Sequence, residues 1–299
     1  MQGFSPTPTF PVMSLWPFPD PIDFVRQRLV AEVRAVFNDS AQGEAPVPPS
    51  ADALFEPDSP IRMVHADVVS MMVGGIAALL LQMLHPHALR GVLDHSGFRT
   101  DMHGRLRRTA RFIAVTTYGH RDAAQAAIDR VNAIHAHVKG TLPDGTPYSA
   151  QDPRTLAWVH VTEATCFLDA YLRHVRPDMP LAEQDEYFRQ FAAIARRLGC
   201  DPVPETKAQA QALFRQMRSD LHAGQEARDI ARLITQAPAE GRALGVHRVL
   251  ASAAIDMLPP FARTMLALER PGIAMIPARM VTQGLGGTLR WAFGQQARR

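Results

Sequence analysis

The sequence predicts an all-α fold. Aromatic residues are only 7% of the 299-residue chain, and Ala, Leu and Arg recur throughout. β-branched residues seldom alternate with polar ones, so the two-residue period of a half-buried strand is missing while helix formers dominate. A hydrophobic content of 46% against 20% charged residues describes a globular chain with a packed core, not a disordered one.

The elements follow in order. Residues Met1 to Pro21 carry many prolines and no basic stretch followed by an apolar run, which predicts an extended arm without a secretory signal. From about Pro21 to Phe37, the residues Phe24, Leu29, Val33 and Phe37 approximate a helical stripe. Asn38 to Pro60 is a polar, proline-containing linker. Residues 1–60 are therefore expected to form an arm with one helix, and residues 61–299 a single helical, bundle-like domain. Its first helix is expected to run from Ile61 to Leu84 and to stop at His85-Pro86, because proline disfavours helical geometry in the residue before it. The uncharged stretch Val68 to Leu84 lies at the lower limit for a membrane span and lacks Lys, Arg, Trp or Tyr anchors, so a buried core helix is expected, with no integral span.

Further helical patterns cover about Gly104–Tyr118, Asp122–Lys139, Pro153–Val175, Leu181–Leu198, Glu205–Ala223, Glu226–Thr235, Arg242–Leu258 and Pro260–Glu269. Pro143-Asp144-Gly145-Thr146-Pro147, Arg176-Pro177-Asp178 and Pro259-Pro260 punctuate them, through the fixed φ of proline or the positive φ open to glycine.

Composition narrows the function. A formal charge of +3 gives no field suited to nucleic acid. Cys166 and Cys200 stand alone, which excludes a zinc knuckle, makes no disulfide framework and fits a reducing, cytoplasmic setting. No G-x-S-x-G elbow, HExxH, P-loop or Glu-x-x-His pair is present.

Two neighbouring helices carry the chemical signal. Ile128, Val131, His135 and Val138 share one face, whereas His137 is rotated roughly 200° from His135. His135 is therefore expected to face inward. One helix earlier, Arg105, Arg108, Thr109 and Phe112 fall at i, i+3, i+4 and i+7, which mixes two cations and a hydroxyl with an aromatic ring. Cations on a buried face need an anion, and few acids lie nearby in sequence. A bound carboxylate or phosphate explains the stripe, and a solvated basic face is the alternative. An inward imidazole opposite arginines suits haem b, whose iron takes a histidine and whose two carboxylates take cations. His160 competes as iron ligand, since it lies in the stripe Leu156, His160, Ala164, Phe167 and Tyr171. Met71, Met72 and Met83 read as packing, and His65, His85, His87 and His95 as helix-end or loop histidines.

Six pieces in order then carry a resemblance: Gly74-Gly75; Leu80-Leu81-Gln82-Met83-Leu84-His85-Pro86; Asp94-His95-Ser96-Gly97-Phe98; Gly104-Arg105 to Thr109; Ile134-His135-Ala136-His137-Val138-Lys139-Gly140; and Tyr148-Ser149-Ala150 with Leu156-Ala157-Trp158-Val159-His160. From about Pro60 to Leu268 the chain resembles the catalytic domain of the rubber oxygenase (latex clearing protein) and mpaB-type oxygenase family. The resemblance implies a partly globin-like helical fold holding haem b, with His135 on the iron and Arg105 and Thr109 supporting the haem. It further implies an oxygenase that uses O2 on an unsaturated, apolar, isoprenoid- or lipid-like small molecule. A non-catalytic haem protein, such as a gas sensor or haem carrier, is the alternative. Two departures argue against rubber as the substrate. Arg108 stands where rubber cleavers carry a lysine before the threonine, and His85 to Phe98 contains Asp94 but no glutamate.

Overall fold

The computed structural model describes residues 45–236 and 243–268, which form eleven α-helices, a short 3-10 turn and one small hairpin. The arm and the helix expected from Pro21 to Phe37 lie outside the described residues.

The helix expected from Ile61 to Leu84 is two helices: α1 (Pro60–Ala66) and α2 (Val68–Gln82), bent by 91° where they meet. The stretch carries no ionisable side chain apart from Arg62, His65 and Asp67, and it breaks at Asp67. Its carboxylate accepts from the Ser70 backbone N–H at 2.8 Å, satisfying a donor that a new helix start leaves open. Among the described residues, no single helix is long and apolar enough to cross a membrane.

Helix α3 (Pro86–His95) begins at the expected proline stop, and α4 (Met102–Tyr118) is capped by Asp101, which accepts from the Gly104 N–H at 2.9 Å. Helix α5 (Arg121–His135) ends at the histidine of interest. The chain then turns into a hairpin absent from the sequence reading, β1 (Lys139–Thr141) paired antiparallel to β2 (Pro147–Ser149). Its tip is the Pro143-to-Pro147 turn, where Gly145 takes φ +91, a conformation that side-chain-bearing residues rarely adopt.

The long helix α6 (Pro153–His174) is the axis of the core. Helix α7 (Leu181–Arg197) follows, then α8 (Lys207–Gln216) with the 3-10 turn Met217–Asp220, which divides the single helix expected from Glu205 to Ala223. Helices α9 (Gln225–Gln236), α10 (Ala243–Met257) and α11 (Pro260–Leu266) complete the described chain.

The densest packing is between α2 and α6. At their crossing, a Cβ on Gly74 would lie 2.7 Å from the Cys166 carbonyl oxygen, so only glycine lets the two backbones approach this closely. Fully buried Trp158 packs there too, and its indole N–H donates to the Leu81 carbonyl at 3.2 Å. Helix α10 packs on α2, α8 packs on α6, and α4 pairs chiefly with α5 and α1. The C-terminal end of α4 is tied to α1 by Tyr118, whose hydroxyl donates to the Arg62 carbonyl at 2.9 Å, and by Thr117, whose hydroxyl lies 2.9 Å from His65 Nδ1.

Candidate functional site: one polar side chain from each of four helices

The α4–α5 pair does not seal against the α2–α6 layer. From Arg105 to Val115 no residue of α4 is fully buried, although Leu106, Phe112 and Ile113 are apolar and pack on the core. Met71, Met72, Gly75 and Ile76 of α2 keep partial exposure as well. Partial exposure on both facing sides means that the two layers are not closely packed over this length, and we read the space between them as a cleft.

Arg105 of α4 enters this cleft. Its guanidinium lies over the Phe98 ring at 5.5 Å, and among the described residues it makes no hydrogen bond or ion pair. Burial pushes its pKa down, Glu163 opposes that shift, and Arg108 adds to it. The cation is thus partly desolvated with no anion in contact, a costly arrangement unless a ligand supplies one.

His135 of α5 faces the same region. Its Nδ1 is buried without a hydrogen-bond partner among the described residues, and burial first, then Arg105, lowers its pKa. The imidazole is consequently neutral near pH 7, with a lone pair free to bind a metal. His137 is exposed, as the helical spacing requires.

The position of His135 is fixed from both sides. Asn132, one turn earlier, donates to the Arg197 carbonyl at 2.9 Å, tying α5 to α7. On the other side, the Ala150 N–H donates to the Val138 carbonyl at 2.8 Å, and the hairpin is held to α3 by Tyr148, whose hydroxyl donates to Asp94 at 2.6 Å and lies 3.2 Å from His95 Nε2. Asp94 also pairs with Arg90. This carboxylate serves the hairpin lock.

The acid of the site comes from elsewhere. Glu163 of α6 accepts from Gln82 Nε2 of α2 at 3.4 Å and faces Arg105 electrostatically. Burial, its dominant influence, pushes the carboxyl up to about 7, while the Gln82 hydrogen bond and Arg105 act in the opposite sense. Glu163 nevertheless retains accessible surface, the combination expected of a side chain lining an internal cleft and not a sealed core. Sequence reasoning missed it. The one available signal was a lone acid in the otherwise uncharged run Leu156 to Leu168, three residues after His160.

The other candidates are placed differently. The side chain of Arg108 is 63% exposed and pairs with Asp101 at 3.3 Å, so it lies at the rim. Thr109 is half-buried, and its hydroxyl donates to the Arg105 carbonyl at 3.2 Å. His160 is buried against α7, stacked on Phe191 with ring centroids 4.8 Å apart, and burial lowers its pKa to about 3. His65 meets the same Phe191 ring edge-on at 5.6 Å. Met83 is fully buried packing. Among the described residues, no group of three or more His, Cys, Asp or Glu is arranged to hold a bare metal ion.

The family model described as "ER-bound oxygenase mpaB/B'/Rubber oxygenase, catalytic domain" matches residues 62–291, and the chain belongs to that family. No curated protein and no solved structure matches it.

Proposed function

We propose that this protein is a haem b-dependent oxygenase that acts with O2 on an unsaturated, apolar small molecule, with His135 as the protein's ligand to iron. The observation that carries this reading is the pairing across one cleft of a neutral imidazole, His135, with a cation, Arg105, each without a hydrogen-bond or ion-pair partner among the described residues. The residues present fit the group. Arg105 would hold a haem carboxylate through charge-assisted hydrogen bonds, with Arg108 at the rim and Thr109 beside it. Haem, when bound, supplies the capacity to bind and activate O2.

The chain's own residues do the rest. The lock of Tyr148 on Asp94 and the tie of Asn132 to Arg197 hold the end of α5, which fixes the direction of the His135 ring. Burial and Arg105 keep that ring unprotonated. Met71, Met72 and Ile76 offer apolar surface along α2 where a hydrocarbon chain can lie out of water.

Absorption spectra of wild-type protein, His135→Ala and His160→Ala test the assignment. Loss of the haem band in His135→Ala alone is the expected result. Retention there with loss in His160→Ala would move the iron to α6. A wild-type protein expressed with ample haem and showing no haem band would remove the cofactor from the reading altogether.

A further inference from the structure

We propose that Glu163 and Gln82 form a recognition point for an oxygen-bearing headgroup, so that the ligand of this cleft is an apolar chain ending in a hydroxyl or carbonyl and not a bare hydrocarbon. This rests on reading the cleft as a substrate cavity.

The geometry sets the terms. Glu163 receives one hydrogen bond, from Gln82 Nε2 at 3.4 Å, and that same amide nitrogen also serves the Val159 carbonyl at 3.4 Å. The amide has one N–H for each acceptor, but both contacts are long and therefore weak. Among the described residues the second carboxyl oxygen of Glu163 has no protein partner, and no ion pair joins Glu163 to Arg105. One turn before Gln82 on α2 lie Ala78 and Leu79, and one turn after Glu163 on α6 lies Phe167, all buried. The cleft therefore has an under-bonded polar end set among apolar residues.

A hydrocarbon entering this cleft would displace water from Glu163 and Gln82 and return nothing. A ligand oxygen at the same place would complete their hydrogen bonds. The carboxyl suits either partner. With burial raising its pKa to about 7, it is present both as an acid, which donates to a carbonyl, and as a carboxylate, which accepts from a hydroxyl. Arg105 is left for the carboxylate of the cofactor, which divides the polar work of the cleft between two residues.

Calorimetric titration of the purified full-length protein with farnesol, farnesal and farnesene, which share one isoprenoid skeleton, tests the proposal. Farnesol or farnesal should bind about tenfold more tightly than farnesene, the worth of a buried hydrogen bond. Tighter farnesol binding assigns a hydroxyl headgroup and tighter farnesal binding a carbonyl. In Glu163→Leu the preference should collapse to about twofold or less through weaker binding of the oxygenated ligands, with farnesene unaffected. Glu163→Gln, which keeps hydrogen-bonding capacity, should retain most of it. Equal binding of all three by wild-type protein overturns the proposal, as does a preference that survives Glu163→Leu. Should that variant fail to fold, Gln82→Leu takes its place with the same two outcomes. The titration needs no haem band, so the absence of haem would refute the cofactor assignment while leaving this comparison decisive.

Discussion

The layer formed by α2 and α6 and the layer formed by α4 and α5 are built from helices of similar length, yet they solve opposite problems. In the first, Gly74 brings two backbones into contact and Trp158 is sealed with its N–H satisfied. In the second, α4 buries no residue between Arg105 and Val115 and carries a cation that has no ion-pair partner among the described residues. Most of the first layer is dry, with Glu163 and Gln82 as its polar edge on the cleft, whereas the second layer faces that cleft along much of its length. The difference separates stability from function: the first layer pays for the second.

The largest way to break that division is to open the dry layer. Trp158→Ala removes a fully buried indole, its bond to Leu81 and its ring contact with Phe214 at 5.0 Å between centroids. A loss of about 4 kcal/mol is expected. It should appear as a lower urea midpoint with an unchanged slope. An unshifted midpoint would mean that the α2–α6 contact is not the keystone of the fold.

Acid sharpens the comparison, because the buried histidines and the acid of the cleft respond with opposite sign. His65 and His160 are buried with pKa values lowered from 6.5 to about 3, so in this window the unfolded chain takes up protons that the folded one refuses. Their contribution is complete above about pH 6.5 and is lost as pH falls toward 3. Glu163 is raised from 4.5 to about 7, so its folded form keeps a proton that the unfolded chain has released. Its contribution is present at low pH and is lost as pH rises from 4.5 through 7. His85, lowered to about 4 mainly by burial, acts with these two histidines, and together they outweigh one glutamate, so the net result is a loss of stability between about pH 6.5 and 4.5. Urea midpoints measured across that range check it. In Glu163→Gln the decline should steepen, because the opposing group is gone; a shallower decline would contradict the sign argued for Glu163.

What was legible in the sequence follows the same division. The inward face of His135 could be read because Ile128, Val131 and Val138 mark it at helical spacing. Arg105 could be read because two cations on one stripe demand an explanation. The bend at Asp67 could not, since helix formers flank Asp67 on both sides and one cap bond, from Ser70, decides it. The hairpin was hidden because three-residue strands leave no period to detect. Glu163 was hidden for a deeper reason. Stripes are found by their apolar members, and a single acid among them looks like a solvated side chain until a second helix is known to pass over it.

In the open layer, removing a charge should help the fold and harm the site. Arg105→Met replaces a partly desolvated, unpartnered cation with an apolar chain of similar reach. The haem-free protein is expected to gain about 1 kcal/mol. Haem affinity should fall about tenfold, the cost of one charge-assisted hydrogen bond to a carboxylate. Thermal midpoints measured with and without haem separate the two effects. Loss of stability in the haem-free form would show that Arg105 is a structural residue.

The smallest expected effect is at Arg108, and it tests how far the cleft extends. Spacing alone places Arg108 on the same stripe as Arg105, and an idealised helix gives no reason to choose between them. The structure does, because Arg108 is 63% exposed and shares Asp101 with the cap of its own helix. An exposed pair of this kind is screened by water and salt, and its loss is worth at most about 0.5 kcal/mol. Arg108→Ala should therefore leave the urea midpoint almost unchanged and lower haem affinity by about twofold or less, against about tenfold for Arg105→Met. Equal losses in the two variants would mean that the bound group reaches the rim and that both arginines grip it. A large loss in Arg108→Ala alone would place the anion at the mouth of the cleft, with Arg105 serving Glu163 behind it.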